Sequence, residues 1–233
     1  MIDLCIVATL RPEILERTLE SFKKHIKYSR EFFCIVNVDL IPARQIQDAF
    51  NVFKLIHKHF PDNIINTEPN GNFTKAVKTV WNCSQADWIF HLEDDWEFLT
   101  DIDLDFAIDK LEKTEKNYMR FPKEQAPHLN CMFKPALQPC LIRGTYARIF
   151  SEYMRTDKDP EKQLRVQEDN EPLFNKCITE FINGGLLDYP AYPCCRDIGR
   201  EWREQRGLKK WNAKEPETGK INPDKFQKVT WYE

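Results

Sequence analysis

Between Asp87 and Phe98 the chain reads D-W-I-F-H-L-E-D-D-W-E-F, so an apolar, strand-like run delivers three consecutive acids before Trp96 and Phe98 resume it. Glu93, Asp94 and Asp95 repel one another and gain nothing from a core, so their grouping calls for a compensating partner. A divalent cation, which prefers hard oxygen ligands, is one. The bland alternative is an acidic exit from a strand into a loop. A second acidic pair, Glu168-Asp169, stands where a helical pattern opens with Glu171-Pro172, a place where Asp169 could also serve as an N-cap. Downstream, Arg196, Arg200, Arg203, Arg206, Lys209 and Lys210 recur every three or four residues, a spacing that predicts one cationic helix face. Glu201 and Glu204 interleave with them, as on an ordinary solvated face.

The elements that must position these groups alternate in kind. Residues 2–8 and 32–38 are strand-like runs, and Pro12 and Pro42 stand where helices would begin after them. Ile14, Leu15, Leu19 and Phe22 recur at helical spacing up to about Tyr28, and Ile46, Phe50, Phe53 and Ile56 do so in the second helix. A short strand over 63–67, a turn at Pro69-Asn70-Gly71-Asn72, a helix over 73–83 and a strand over 88–92 complete the first half. This βα alternation predicts an α/β fold with a mostly parallel central sheet flanked by helices. Ligands of such sheets bind beyond the carboxyl ends of the strands. Thr9, Arg11, Asp39, the Asn70–Asn72 turn and the three acids all follow strands, so the topology brings them to one edge. The second half is less regular: helices are expected over 103–116 and 169–183, a loop-bearing excursion over 122–139, and a charged segment from 196 onward.

The 233 residues suffice for a sizeable core, and 42% hydrophobic with 30% charged residues is the profile of a folded globular chain. We expect one domain over 1–233, with a nucleotide-binding half (1–100), an acceptor half (101–195) and a basic C-terminal segment (196–233). No run is long and apolar enough to span a bilayer, and the N-terminus lacks a signal-peptide pattern, so cytoplasmic residence is expected. Eight dispersed cysteines without a C-x-x-C pair read as reduced and structural. The net charge of −3 argues against a generic polyanion binder.

Taken together, T-L-R-P-E-I-L-E-R-T-L-E-S-F after the first strand, N-G-N-F-T-K-A-V, strand-E-D-D, G-T-Y-A-R-I-F and Q-E-D-N-E-P-L-F resemble the GT-A-fold glycosyltransferases, and within them the large family-2 group. The resemblance runs in order over roughly residues 1–181. It implies a Rossmann-like GT-A fold with an irregular C-terminal acceptor region. It also implies a metal-dependent, inverting transfer from a nucleotide-sugar donor, UDP-sugar favoured, to a hydroxyl acceptor on a glycan, a protein or a hydroxylated DNA base. In the family the acidic motif is usually D-x-D; here Glu93 takes the first place. By that match Asp95, with Glu93, would hold Mn2+ or Mg2+, Glu93 would face the ribose or a metal-bound water, and Asp94 reads either as a donor contact or, pointing to the opposite side of a still-extended strand, as structural. Thr9, Arg11, Asp39, Asn70 and Lys75 match donor contacts, and Glu168-Asp169 matches the motif that supplies the catalytic base, Asp169. Arg200 and Arg203 lie beyond the matched motifs; many glycosyltransferases close a C-terminal segment over the leaving group, which would make them a diphosphate clamp.

Two other classes remain open at this level. A sugar-phosphate nucleotidyltransferase would share the scaffold and paired acids, but the first loop, Ala8-Thr9-Leu10-Arg11-Pro12, lacks the glycines that class uses. A non-catalytic carbohydrate- or nucleic-acid-binding module could use Trp88, Trp96, Trp202 and Trp211 with the basic tail.

Overall fold

The computed structural model describes residues 1–41, 46–124, 135–182 and 186–206. Strand β1 (Ile2–Thr9) is buried from Ile2 to Ala8, because both of its faces are covered by helices. Ile2, Leu4, Ile6 and Ala8 point into one apolar layer, and Cys5 and Val7 into the other. Helix α1 (Pro12–His25) opens on a proline whose missing N–H is no loss in a first turn. It buries Ile14, Leu15, Leu19 and Phe22, and carries Glu13 at its start and Lys23, Lys24 and His25 at its end, matching the helix dipole. The short β2 (Ile26–Lys27), then β3 (Phe33–Asp39), α2 (Ile46–His59), β4 (Asn63–Glu68), α3 (Phe73–Cys83) and β5 (Trp88–Glu93) follow in turn.

Next come β6 (Trp96–Phe98), β7 (Ile102–Asp103), α4 (Leu104–Lys113), β8 (Tyr118–Arg120), β9 (Cys140–Arg143) and α5 (Gly144–Tyr153). The chain then forms α6 (Pro160–Arg165), α7 (Glu171–Cys177), a π-helical turn over Ile178–Ile182, β10 (Leu186–Asp188), β11 (Cys195–Asp197) and α8 (Gly199–Gln205). The main sheet has the order β10-β8-β9-β5-β1-β3-β4. β4, β3, β1 and β5 run parallel, β9 is antiparallel to both of its neighbours, and β10 runs parallel to β8. Helices α1, α2 and α4 pack on one face, α3, α5, α6 and α7 on the other. The expected α/β architecture with a mostly parallel sheet is therefore the observed one.

Several boundaries differ from the sequence expectation. The helix expected over 169–183 starts at Glu171 and is capped by Asn170, whose side chain accepts the Leu173 N–H; Asp169 is not the cap. Asp103, expected inside a helix, caps α4 by accepting from Phe106 N–H. At Gly144 the chain turns from β9 into α5, and a Cβ there would stand 2.1 Å from the Ala86 carbonyl oxygen, which only glycine avoids. The cationic helix expected over 196–211 is shorter: Arg196 lies in β11, paired antiparallel with β6, and α8 ends at Gln205. Pro42, Gly184-Gly185, Gly207, Lys209, Lys210 and Trp211 lie outside the described residues.

Candidate active site

Register places the acids. Thr9 pairs with Asp39, Asp39 with Glu68, and Val7 with Glu93, so the last residues of four parallel strands stand side by side at one sheet edge. The turn that leaves β5 is held from below. Asp94 N–H donates to the Val7 carbonyl at 3.0 Å, and the Thr18 hydroxyl of α1 donates to the Asp94 carbonyl at 2.7 Å. The Asp94 carboxylate accepts from Thr9 N–H (2.8 Å), Thr9 Oγ1 (3.0 Å) and Arg11 Nη2 (2.5 Å), while Arg11 Nε donates to Thr9 Oγ1 at 2.8 Å. Only 4% of each of the Arg11 and Asp94 side chains is exposed. Arg11 and Asp94, expected at the donor, are thus partners of each other inside the frame, and a desolvated guanidinium opposite a carboxylate explains that placement. Arg11 also reaches Asp95 Oδ2 at 3.2 Å, and the two carboxylates hold its proton even more firmly than usual.

Asp95 and Glu93 flank Asp94 at this end of the sheet. Burial pushes both carboxyls up; for Asp95 the charge of Arg11 and Arg203 opposes this while Asp94 and Asp197 add to it. Glu93 is raised well above the ordinary range by burial and then by Asp95, Glu161, Asp94 and Asp197. The principal influences on Glu93 include no cation. Oxygen-only side chains with excess negative charge fit a hard divalent ion. Among the described residues no three metal-binding side chains enclose an ion by themselves. Asp95 and Glu93 could give such an ion one or two carboxylates, the share a protein usually supplies to Mg2+ bound with phosphates.

Asp39 forms the neighbouring corner. Its carboxylate accepts from Asn37 Nδ2 at 2.9 Å and Asn72 N–H at 3.0 Å, and burial pushes it up to about 6 against those two bonds. Asn72 in turn caps α3 by accepting from Lys75 N–H at 2.8 Å. Gly71 adopts φ +57°, a left-handed conformation that glycine tolerates at no steric cost, and lets the turn fold onto Asp39. Asn70 is exposed, and Lys75 pairs with Glu68 at the end of β4 with more than half of its side chain in solvent. Neither is drawn in beside Asp39.

The C-terminal segment covers the acids. Asp197 N-terminally brackets α8 and accepts the Arg200 N–H at 3.2 Å. Ile198 N–H donates to the Asp95 carbonyl at 2.9 Å, and a Cβ on Gly199 would stand 2.1 Å from Asp95 Oδ2. Arg203 is buried beside Asp95, whereas Arg200 is exposed. Arg196 pairs with Glu97 (2.5 Å), which also binds Arg17 (3.0 Å), and Arg206 pairs with Glu13 (2.9 Å). The expected single stripe is therefore divided among separate acids, with Arg203 alone of these arginines buried against the turn.

Glu168 and Asp169 stand apart from the turn, in the wall of an open cavity of about 570 Å³ shared with Tyr153, Arg155, Gln167 and Asn170. Glu168 is exposed; Asp169 is half-buried with Lys158 Nζ 3.6 Å away. The loop before α6 ties this cavity to the sheet edge, since Asn72 Nδ2 donates to the Thr156 carbonyl at 3.0 Å and the Thr74 hydroxyl to the Lys158 carbonyl. Thr18, Asn37, Asp197 and Glu13 are not marked as site residues by the sequence, and Trp202 is marked only for the alternative binding module. Asn37 has one legible signal, its place two residues before Asp39 on the same strand face.

No protein-family model matches the sequence, and no curated protein is similar to it at a significant level. Solved structures do share its shape. Residues 1–349 of TarS from S. aureus superpose with a TM-score of 0.61 at 12% identity, covering 86% of this chain and 61% of that one. The same protein has been solved with UDP-GlcNAc (TM-score 0.57, 8% identity, 83% and 58% covered). The mannosyltransferase PcManGT from Pyrobaculum calidifontis, solved with GDP-Man and Mn2+, matches with a TM-score of 0.57 at 15% identity over 88% of this chain and 60% of that one. This chain spans about three fifths of the length of those chains. The likeness in overall shape establishes that the chain shares the fold of those structures, a GT-A-like, Rossmann-like α/β fold.

Proposed function

We propose that this protein is a metal-dependent, inverting glycosyltransferase that moves a sugar from a nucleotide-sugar donor to a hydroxyl acceptor. The observation that carries the reading is the cluster at the sheet edge: Glu93, with no cation among its principal influences, and Asp95 between Arg11 and buried Arg203, next to the Asp39 corner. Acids gathered at the carboxyl ends of parallel strands, in excess of the arginines beside them, suit a diphosphate bridged to the protein by a divalent ion. The complexes of TarS with UDP and UDP-GlcNAc and of PcManGT with GDP-Man and Mn2+ support a nucleotide-sugar donor and such an ion. We favour a UDP-sugar.

In this reading Asp39, with its oxygens oriented by Asn37 and the Asn72 N–H, receives donors of the nucleoside. Asp95 holds Mn2+ or Mg2+ with Glu93 in support, and the bound ion would neutralise charge developing on the leaving diphosphate. Arg203 adds a charge-assisted contact to the phosphates, with Arg200 at the rim. Asp169 takes the proton of the acceptor hydroxyl as its oxygen forms a bond to the anomeric carbon and the bond from that carbon to the diphosphate oxygen breaks. Lys158 Nζ lies 3.6 Å from Asp169 and offers its carboxylate a cationic neighbour. Glu168, being exposed, borders the acceptor cavity. Thermal unfolding with UDP, GDP, ADP and buffer, each with and without MnCl2, tests the reading. A nucleoside diphosphate that raises Tm only with manganese supports it, and no shift with any combination sinks it.

A further inference from the structure

We propose that Glu13 and Trp202 are positioning residues that strap α8 across the acidic turn and so keep Arg203 against Asp95. The inference rests on the reading that this turn binds the donor diphosphate with its cation. Glu13 sits in the first turn of α1, two residues after Arg11. Its Oε1 accepts two hydrogen bonds from the far end of the chain, from the indole N–H of Trp202 at 2.8 Å and from Arg206 Nη2 at 2.9 Å. The Trp202 ring lies against two guanidinium groups, Arg206 at 4.4 Å and Arg11 at 5.6 Å from its centroid. Arg11 is also the residue that donates to Asp94 and Asp95. A continuous path of contacts therefore joins the acids, the head of α1 and α8 through Arg11, Trp202 and Glu13.

The need for such a strap follows from the size of α8. Seven residues cannot sustain a helix alone, and the residues it buries are Gly199 and Arg203. Its place depends on what holds its two ends. At its start, Ile198 N–H donates to the Asp95 carbonyl and β11 pairs with β6. At its end stand Glu13 and the two cation–π contacts. Arg203 lies between these anchors. Releasing Glu13 frees the end of the helix that carries Arg203. The same contacts account for the closeness at Gly199, where the helix backbone is drawn to within side-chain reach of Asp95 Oδ2.

Hydrogen exchange on the full chain without ligand, and calorimetric binding of UDP or GDP with MnCl2, test this on wild type, Glu13→Ala, Glu13→Gln and Trp202→Phe. Glu13→Ala is expected to speed exchange of the amides over 196–206 about tenfold, the low end for a charge-assisted hydrogen bond, with β1 and β3 unchanged. It should weaken nucleoside diphosphate binding severalfold and raise the donor KM while the acceptor KM stays put. Glu13→Gln keeps an acceptor for the indole but loses the charge facing Arg206, and Trp202→Phe keeps the ring but loses its N–H, so both should fall between. Unchanged exchange in Glu13→Ala overturns the strap. Faster exchange with unchanged diphosphate affinity overturns its positioning role. Absence of diphosphate binding by the wild type, with exchange still sensitive to Glu13, defeats the reading of the site and leaves the strap standing.

Discussion

Replacing Asp94 by asparagine preserves side-chain shape but removes the charge that faces Arg11. In the structure this carboxylate receives three short hydrogen bonds, from Thr9 N–H, Thr9 Oγ1 and Arg11 Nη2, in a setting from which water is excluded. Breaking a buried ion pair on one side leaves an uncompensated charge and costs about 3–5 kcal/mol. Asp95 remains 3.2 Å from Arg11 as a second partner, so the loss belongs near about 3 kcal/mol, the low end of that range. For a chain of this length each kcal/mol lowers Tm by about 2–4 °C, so Asp94→Asn should unfold roughly 6–12 °C below wild type. Asp95→Asn is the control. It gives up attraction to Arg11 and Arg203 but also relieves repulsion from Asp94 and Asp197, so its Tm should stay within about 3 °C, the shift of roughly 1 kcal/mol. Under the proposed function it should nonetheless lose manganese-dependent nucleotide binding. Circular dichroism melts of the three proteins decide the matter. If Asp94→Asn melts no lower than Asp95→Asn, the distinction between a framing and a ligand-facing acid is wrong.

Two further outcomes are expected. Asp169→Asn should leave Tm and donor affinity unchanged, since Asn170 and not Asp169 caps α7, while glycosyl transfer falls by about two orders of magnitude or more; transfer at the wild-type rate would remove Asp169 from the mechanism. Asp39 is raised in the folded state to about 6 from an ordinary value of 3.8, so folding favours its protonated form. The corresponding stability is present in full below about pH 4 and is lost as pH rises through about 6. Asp39→Asn should therefore gain roughly 2–3 kcal/mol on wild type at pH 7–8 relative to their difference at pH 4, as chemical denaturation at both pH values will measure. A difference that does not change with pH would refute the buried, proton-favouring setting of Asp39.

The order of strands and helices in the first half was legible because each element carries its own period and its own punctuation. Pro12 starts α1, Asn72 caps α3, and the apolar run of β5 stops at Glu93. Parallel topology then required the residues after each strand to gather at one edge, and Thr9, Asp39 and Glu68 do so in register, with Glu93 beside Val7 two residues behind Thr9. What sequence could not decide was which way each side chain in that gathering turns. Arg11 reads as a donor contact in the sequence, yet it closes on Asp94 in the interior, with Asp95 as its longer second partner, and packing against Thr9 of β1 and Thr18 of α1 holds that arrangement. The C-terminal arginines read as one helical stripe because spacing alone assumes one helix. Their partners Glu97 and Glu13 lie about a hundred or more residues away in the chain, so β6–β11 pairing and the contacts of α1 divided the stripe. Local period fixes elements at short range; the assignment of charges to partners is a long-range choice, made by whichever pairing satisfies a buried charge, and it exists only once the chain has folded.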